Sequence, residues 1–507
     1  MVVNEQTPLL AAPTPATRPE DLAAAYRRTV LILCFVVIII IEIGASFFAM
    51  ASTAVAERNI CLEEPQDLRD GEDYGDCKGT AVQGRLAMLQ GWQMTTECLP
   101  GIIGAIPYGL LADQWGRRPV IILSLTGNIL SMMFIVVVLY IPSIFSPEAM
   151  LAAPVFTLIG GSTMVTSAMA YTMIADIVPV DDRATVFFQF GAAFAVAELV
   201  SGPMAGAIMM KSNWLCMLLG LGLWIVATLL CFLAPETLRV RRLAEQLAGN
   251  STETVESTET GANRVRDHQS LLAQTVHQIR CGAAEVREFG VHNRGLMFLM
   301  LSLVFVVLSK FVQILLLQFT RKKFNWSWSQ AAFLLTIRSG SNLASSLIIL
   351  PAISKLLTLK FSFSPVVKDA FIARATGIAG VFGALMIAFA PDPFTLSFGL
   401  VVFGLAGGMA VAIRSLLNAL VESHHVGMLN TVLSLLEQAG LMVAGPLFSK
   451  ALKTGIQLGG GWIGLPFLVA AVYMAVATGI VFMFRVPKSM RGYTGGDSED
   501  EEERLHS

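Results

Sequence analysis

Long apolar segments separated by short polar turns run along almost the whole chain. A hydrocarbon core about 30 Å thick is crossed by a helix of about 20 apolar residues. Segments of that length predict an all-α membrane protein with twelve transmembrane helices. The predicted spans are 30–56, 84–112, 119–141, 150–175, 185–210, 214–234, 296–319, 330–352, 370–390, 394–420, 428–450 and 463–484.

The largest polar interval separates six spans from the other six, which predicts two six-helix bundles. The middle of this interval is poor in apolar residues and rich in Ser, Thr and Glu, so we expect part of it to be disordered. The predicted parts are a cytoplasmic N-terminal tail (1–29), a first bundle (30–234), a cytoplasmic linker (235–295), a second bundle (296–484) and an acidic cytoplasmic tail (485–507).

Gly-Gly and Gly-Pro pairs recur at equivalent spans of the two bundles. Gly160-Gly161 in span four matches Gly407-Gly408 in span ten, and Gly202-Pro203 in span five matches Gly445-Pro446 in span eleven. Each pair alone could serve only to pack helices. Their matched order indicates duplicated halves with pseudo-symmetry, an arrangement that places a substrate site between the halves near the bilayer midplane.

Composition and charge agree with a membrane protein. The chain of 507 residues is 54% hydrophobic and 14% charged, against about 25% charged in soluble proteins. A net charge of −2 gives no reason to expect a nucleic-acid partner. Lys and Arg are concentrated in the segments that lie inside if both termini are cytoplasmic. The group Arg321 to Lys323, in an outer loop of this topology, is an exception.

A short charged turn, GLLADQWGRR, lies between spans two and three. It resembles the loop signature of the major facilitator superfamily, with Gln114 in place of the usual Arg. The resemblance implies a secondary transporter with twelve spans, in which this turn is a conformational gate tying the halves together. We expect Gly109 to allow close helix approach and Gly116 to permit a tight reversal. The gate residues are Gly109, Asp113, Gly116, Arg117 and Arg118, with Asp176 and Arg183 as a second clamp.

Further motifs indicate which branch of the superfamily the chain is similar to. The segments ERNIC, IPYGLLAD, KKFNWS and GLPF resemble fungal members, which are commonly exporters in secondary-metabolite pathways. GRRP is similar, more distantly, to the proton-coupled folate transporter group. Gly191 precedes Gly202 by a longer interval than in the family's antiporter signature, which leaves the direction of transport open.

Ionisable residues within the predicted spans are candidates for the chemistry of transport. Each costs about 2.5–3.5 kcal/mol at mid-span on insertion scales, so each needs a partner or a hydrated cavity. All six His residues lie in predicted cytoplasmic segments, which leaves carboxylates to carry protons. We expect proton coupling at Glu42, Glu198 and Glu437, of which Glu42 is the first choice. The alternative for each is a structural ion pair or a brace beside the Gly-Pro bends.

Cations in the second half suggest how a substrate is bound. Arg338 can form a bidentate contact with a carboxylate, and Lys310 acts as a point charge. With Glu97 they form the predicted substrate-binding set, and a bulky amphiphilic organic acid would suit it. The alternative is that both cations only pair with Glu42 or Glu437. Arg414, near the end of span ten, is expected to reach the membrane interface.

The remaining polar features concern the predicted outer surface. Cys61 and Cys77 share the first outer loop and either form a disulfide or stay free. Asn325 begins a glycosylation sequon close to the membrane. No Cys or His spacing suggests a metal site, and we expect no cofactor.

The resulting hypothesis is a monomeric, multi-pass membrane protein that exports a small organic molecule by proton antiport. Its expected partners are the small-molecule substrate, protons and the lipid bilayer. The alternative is proton-coupled uptake of an organic anion. A non-transporting receptor is disfavoured by the paired charges, and an enzyme by the absence of a phosphate loop, catalytic triad or metal cluster. We expect the plasma membrane, with the vacuolar membrane as an alternative because Glu5, Leu9 and Leu10 resemble a sorting signal.

Overall fold

A computed structural model describes residues 19–63, 77–238, 294–361, 363–421 and 426–484. Within these ranges the regular structure is helical, without strands. Helices suit apolar segments in lipid because each backbone polar group finds its partner within the same segment.

The first half contains six long helices. The fourth follows two short helical turns, Pro147–Ala152 and Pro154–Thr157. The helices are α1 (Pro19–Glu63), α2 (Thr80–Trp115), α3 (Arg117–Tyr140), α4 (Ser162–Ile177), α5 (Val180–Met209) and α6 (Asn213–Leu233).

The second half repeats this count, and three of its helices are interrupted. A 3-10 turn (Val312–Leu315) divides α7, a π turn (Ser345–Ile349) divides α8, and Ala406 separates the parts of α10. The helices are α7a (Arg294–Phe311), α7b (Leu316–Phe324), α8a (Trp328–Ala344), α8b (Leu350–Phe361), α9 (Pro365–Phe389), α10a (Pro393–Leu405), α10b (Gly407–Leu420), α11 (Val426–Leu458) and α12 (Leu465–Met483).

Ten helical segments of the described chain are long and apolar enough to cross a membrane. The remaining two long helices, α2 and α11, pack against each other between the halves. Together they confirm the predicted all-α membrane fold with its twelve-span arrangement. The helix α1 begins at Pro19, well before the predicted start of span one at residue 30. Residues 1–18, 239–293 and 485–507, which hold most of the predicted tails and linker, lie outside the described residues.

Each half has an apolar core of its own. Leu86, Leu125 and Trp224 are buried in the first half, and Phe403 and Phe467 in the second. Helices α2 and α11 form one extensive contact between the halves, and α5 and α8a form a second. Most members of each core belong to one half, while Ala87 of α2 and Ala332 of α8a pack into the core of the opposite half.

The repeated Gly-Pro pairs lie in these contacts, where α2 meets α11 and α5 meets α8a. Gly445 of α11 meets the backbone of Gly91 in α2, where a Cβ on either residue would collide with the carbonyl oxygen of the other. Gly202 of α5 packs on Ala332 and Leu335 of α8a in the same way. The matched glycines thus permit close approach of the two halves at two equivalent positions.

The repeated Gly-Gly pairs coincide with interruptions of their helices. Gly160 and Gly161 have φ of 93° and 80°, and Ser162, which begins α4, has φ of 65°. Glycine enters this left-handed region without the steric cost of a Cβ, so the span breaks here. Gly407 begins α10b at the corresponding break in the second half. The predicted spans 150–175 and 394–420 each correspond to one candidate membrane span, which is interrupted at these glycines.

Candidate functional site

A buried cluster joins the halves at the end of the bundle where α1 connects to α2, here called the loop-1 end. The Arg321 Nε donates to Glu57 Oε1 at 2.7 Å, and Trp328 Nε1 donates to Glu57 Oε2 at 2.7 Å. Glu57 is only 3% exposed and Arg321 8%. The carboxylate belongs to α1, and both donors belong to the second half.

Two glutamines complete this cluster. Gln83 of α2 donates to the Glu57 carboxylate, and Gln318 of α7b donates to the Gln83 carbonyl oxygen at 2.6 Å. Both glutamines are buried. We call Glu57, Gln83, Gln318, Arg321 and Trp328 the latch. Because hydrogen bonds to charged groups are the stronger ones, the latch holds the halves together at the loop-1 end.

A disulfide lies beside the latch. Cys61 and Cys77 are bonded, with their Cα atoms 5.5 Å apart. The Cys77 carbonyl oxygen accepts a hydrogen bond from Gln83 Nε2 at 3.1 Å. Next to it, Lys322 Nζ donates to the Lys78 carbonyl oxygen at 2.7 Å. The disulfide therefore fixes a chain segment that contacts both the latch and the second half.

Asn325 ends α7b with φ of 58° and is exposed. Its backbone carbonyl oxygen accepts a hydrogen bond from Lys78 Nζ at 3.2 Å. The predicted glycosylation site therefore lies on the accessible edge of the contact between the halves, at the loop-1 end.

Sequence reasoning did not identify the latch. It assigned Arg321 to a loop, whereas the residue lies in the helical turn α7b and is buried. Glu57 was one of many acidic residues near the first loop. The sequence feature that pointed to the latch was the cationic group Arg321 to Lys323, an exception to the concentration of Lys and Arg on the inner side. The buried ion pair of Arg321 with Glu57 explains part of this exception.

The predicted gate lies at the opposite end, which we call the loop-2 end. Arg117 is 2% exposed; its Nη1 lies 2.6 Å from Asp113 Oδ1, and its Nε lies 3.4 Å from Asp176 Oδ2. Arg118 donates to the carbonyl oxygen of Phe232. The described contacts of both arginines thus join α2, α3, α4 and the end of α6, all within the first half.

Glu236 is a further member of this network. Its carboxylate accepts the backbone N–H groups of Arg117 at 2.8 Å and Arg118 at 3.1 Å, at the start of α3. An anion at this position satisfies donors that the helix leaves free. Gly116, with φ of 113°, leaves room for the carboxylate, into which a Cβ would project.

Gly109 and Arg183 were also predicted to belong to the gate. No neighbouring atom lies within 4 Å of where a Cβ of Gly109 would stand, so the expected close helix contact is not present at this glycine. Arg183 Nη2 donates to the carbonyl oxygen of Ala175 at 2.8 Å, which ties the start of α5 to the end of α4. It caps a helix end close to Asp176.

Six of the membrane-embedded charges form two groups. In the first, Arg338 of α8a forms an ion pair with Glu198 of α5 across the contact between the halves. Glu42 of α1, which is half-buried, interacts electrostatically with both. We call Glu42, Glu198 and Arg338 the triad. Three residues that the sequence singled out separately thus come together.

The second group lies within the second half. Arg414 Nη2 of α10b lies 2.6 Å from Glu437 Oε2 of α11. Lys310 interacts electrostatically with both and donates to the Gly407 carbonyl oxygen at 3.4 Å. Arg414, which the sequence assigned to the membrane interface, has a carboxylate on the neighbouring helix as its partner.

A cavity of about 440 Å³ lies between the halves, a size typical of sites for small organic ligands. Glu97 is the charged member of its wall, and Lys310 and Arg338 are not part of that wall. No cluster of metal-ligand side chains occurs in the described ranges. The lining residues are Met94, Glu97, Cys98, Gly101, Ser162, Thr163, Met164, Ser167, Phe311, Ile314, Gln438 and Leu441.

The chain is similar in sequence to fungal transport proteins. It is 30% identical over 447 residues to efflux pump ustT of Aspergillus flavus, covering 87% of this chain and 86% of that one. It is 28% identical over 503 residues to MFS efflux pump atnC of Emericella nidulans, covering 96% and 94%.

Solved structures share the fold. The nucleoside transporter NupG superposes with a TM-score of 0.60 at 13% identity, over 89% of this chain and 100% of that one. The human organic anion transporter MFSD10 gives 0.56 at 16% identity, over 90% and 99%. Residues 84–367 match the family model described as Major Facilitator Superfamily, whose members are transporters and not enzymes. The chain therefore belongs to the major facilitator superfamily.

Proposed function

We propose that this protein exports a small organic molecule, a fungal secondary metabolite, by proton antiport across the plasma membrane. The relatives named as efflux pumps align over most of the chain, and this similarity supports export. The single structural observation that carries the mechanism is the triad, because it places ionisable groups from both halves in contact.

The proposed orientation has both termini in the cytoplasm, so the loop-1 end faces outward. The concentration of Lys and Arg on the opposite side supports this. The Cys61–Cys77 disulfide agrees with it, since such bonds persist in oxidising compartments. The vacuolar membrane, with the loop-1 end in the lumen, satisfies the same constraints.

In this orientation the structure is a state closed to the outside. The latch joins the halves at the loop-1 end. The contacts that Arg117 and Arg118 make with other described residues at the loop-2 end stay within the first half. We propose that the substrate enters the cavity from the cytoplasmic side in this state. Outward release then requires the latch to open and the loop-2 ends of the halves to meet.

Asp113, Arg117, Arg118 and Asp176 would then contribute to closure at the cytoplasmic side. Asp113 lies at the end of α2, Arg117 and Arg118 at the start of α3, and Asp176 at the end of α4, where we propose that the second half approaches. In the present state Arg117 pairs with Asp113 and Asp176, and Arg118 donates to the Phe232 carbonyl oxygen. We propose that this network rearranges as the halves rock about the cavity.

The triad couples this motion to protons by charge. With both carboxylates ionised, two negative groups share one guanidinium, so one added proton brings the triad to neutrality. Like charges that share a site favour uptake of a proton by one of them. Because Glu42 and Glu198 belong to the first half and Arg338 to the second, the ion pair changes when the halves separate. Glu437 is the proposed second coupling site, with Arg414 and Lys310 beside it.

Loss of the gene in its own organism tests the proposed function. We expect at least one organic compound to rise inside the cells and fall in the medium, because an exporter lowers its substrate in the cell. Untargeted mass spectrometry of both fractions measures this, and re-expression of the intact gene is the control. A compound that instead falls inside the cells and accumulates in the medium would contradict export and favour uptake.

A further inference from the structure

We infer that the cavity between the halves binds a protonated amine of an amphiphilic molecule, with Glu97 as its counter-ion. The inference rests on the proposed function, because it treats this cavity as the substrate site. It replaces the organic acid suggested by the cations in the sequence with a substrate of opposite charge.

The position of Glu97 is the first argument. Its carboxylate lies on α2, facing the cavity, and Oε1 accepts a hydrogen bond from Gln93 Nε2 on the same helix at 2.9 Å. It has no ion-pair partner within 4.0 Å in the described ranges. Glu198 and Glu437 each form an ion pair with a guanidinium, that of Arg338 and that of Arg414. Glu42 interacts electrostatically with Arg338, whereas no cation is recorded beside Glu97 in the same ranges.

The Glu97 carboxylate can accept further hydrogen bonds and a counter-charge. An ionised carboxylate offers about four acceptor positions, and the Gln93 amide occupies one. Glu97 is exposed to the cavity, so a molecule that fills the cavity displaces water from the carboxylate. Such a charge is costly unless the molecule pairs and hydrogen-bonds with it. An ammonium group supplies both a positive charge and several N–H donors, so it complements Glu97 in a way that a hydroxyl or a carboxylate does not.

The rest of the wall is suited to the body of such a molecule. Met94 and Met164 supply adaptable apolar surface, and Phe311, Ile314 and Leu441 add rigid apolar surface on the other side. Aromatic rings also attract cations over their faces. The wall therefore combines one negative group with a predominantly apolar surround.

The cations that would favour an anion are engaged elsewhere. Arg338 pairs with Glu198, and Lys310 donates to the Gly407 carbonyl oxygen. An organic anion in the cavity would meet the Glu97 carboxylate with no cation among the lining residues to compensate for it. Electrostatics at the wall thus disfavour an acid and favour a base.

Three probes with the same skeleton test the inference on the purified, full-length protein: phenylhexylamine, phenylhexanol and phenylhexanoate. We expect the amine to bind about tenfold more tightly than the alcohol, as for a hydrogen bond to a charged group, and the carboxylate to bind most weakly. Calorimetry measures the three affinities. Equal affinity for amine and alcohol in the wild-type protein would overturn the inference.

Two variants locate the effect. Glu97→Gln should lose the preference for the amine while it keeps the affinity for the alcohol, which also shows that the variant is folded. Asp392→Asn removes an equal charge from the exposed start of α10a and keeps a good helix cap, so the preference should remain. An amine preference that survives in Glu97→Gln would assign it to another site. Because binding is measured without transport, this result leaves the loss-of-gene comparison as a separate test of export.

Discussion

Replacing Glu57 by Gln should shift the protein toward a state that is open at the loop-1 end. The carboxylate is the buried counter-ion of Arg321, and the two belong to different halves. Removing one partner of a buried pair costs about 3–5 kcal/mol, because the other charge stays uncompensated. Water can hydrate Arg321 once the halves separate, so the cost falls on the closed state. Since 1.4 kcal/mol is a factor of ten, the closed state should lose its dominance.

Ser449 provides a readout of this shift. It is 1% exposed and lies against Gly91 in the contact between α2 and α11. A Ser449→Cys thiol should react with a membrane-impermeant reagent from outside only when the halves separate there. We expect the reaction to be slow alone and much faster when Glu57→Gln is added. The background from native cysteines is measured without Ser449→Cys.

An ion pair at the same end gives a matched control. Arg85 Nε lies 2.5 Å from Glu148 Oε1, and Arg85 Nη2 lies 2.6 Å from Glu63 Oε2, all within the first half. Glu148→Gln should therefore leave the Ser449→Cys reaction unchanged. The double change of Glu57 and Arg321 to Gln should restore closure in part, because no buried charge is left unpaired. An equal acceleration by Glu57→Gln and Glu148→Gln would refute the latch.

The second large effect is expected at the triad. Glu42→Gln leaves one carboxylate and one guanidinium, a neutral pair that has no further need of a proton. Transport driven by a pH gradient should fall to the rate of vesicles without protein. Exchange of substrate across the membrane without a gradient should persist, because Glu42 does not line the cavity. Both rates are measured in proteoliposomes with the compound identified by loss of the gene.

Glu63→Gln is the control for this variant. It makes the same change on the same helix, at a carboxylate that pairs with Arg85 near the loop-1 end. Both gradient-driven transport and exchange should match those of the wild type. Concentrative transport that persists in Glu42→Gln would remove Glu42 from the coupling mechanism.

The membrane fold was predictable from sequence because bilayer thickness fixes the length of each apolar run. Position within a span, however, does not reveal which helices are neighbours. The ion pair of Arg414 with Glu437 joins two helices, which the sequence does not show to be neighbours. Sequence alone therefore assigned Arg414 to the membrane interface. The same limit hid the latch, because Glu57 and Arg321 are far apart in the chain.

Local backbone geometry was the other limit. The glycine pairs at Gly160 and Gly407 indicated duplication, but both helix packing and a helix break are compatible with adjacent glycines. The structure shows breaks at both. Conversely, the Gly202 and Gly445 marks act in packing between the halves. Only the backbone of the neighbouring helix distinguishes glycines that break a helix from glycines that let two helices pack closely.

The most direct measurement of the central claim follows protons and substrate together in proteoliposomes of the wild-type protein. The account predicts that substrate moving in one direction drives protons in the other, and that a pH gradient alone drives substrate uphill. Proton movement should disappear in Glu42→Gln and remain in Glu63→Gln. Substrate movement with no accompanying proton flux in the wild type would contradict antiport.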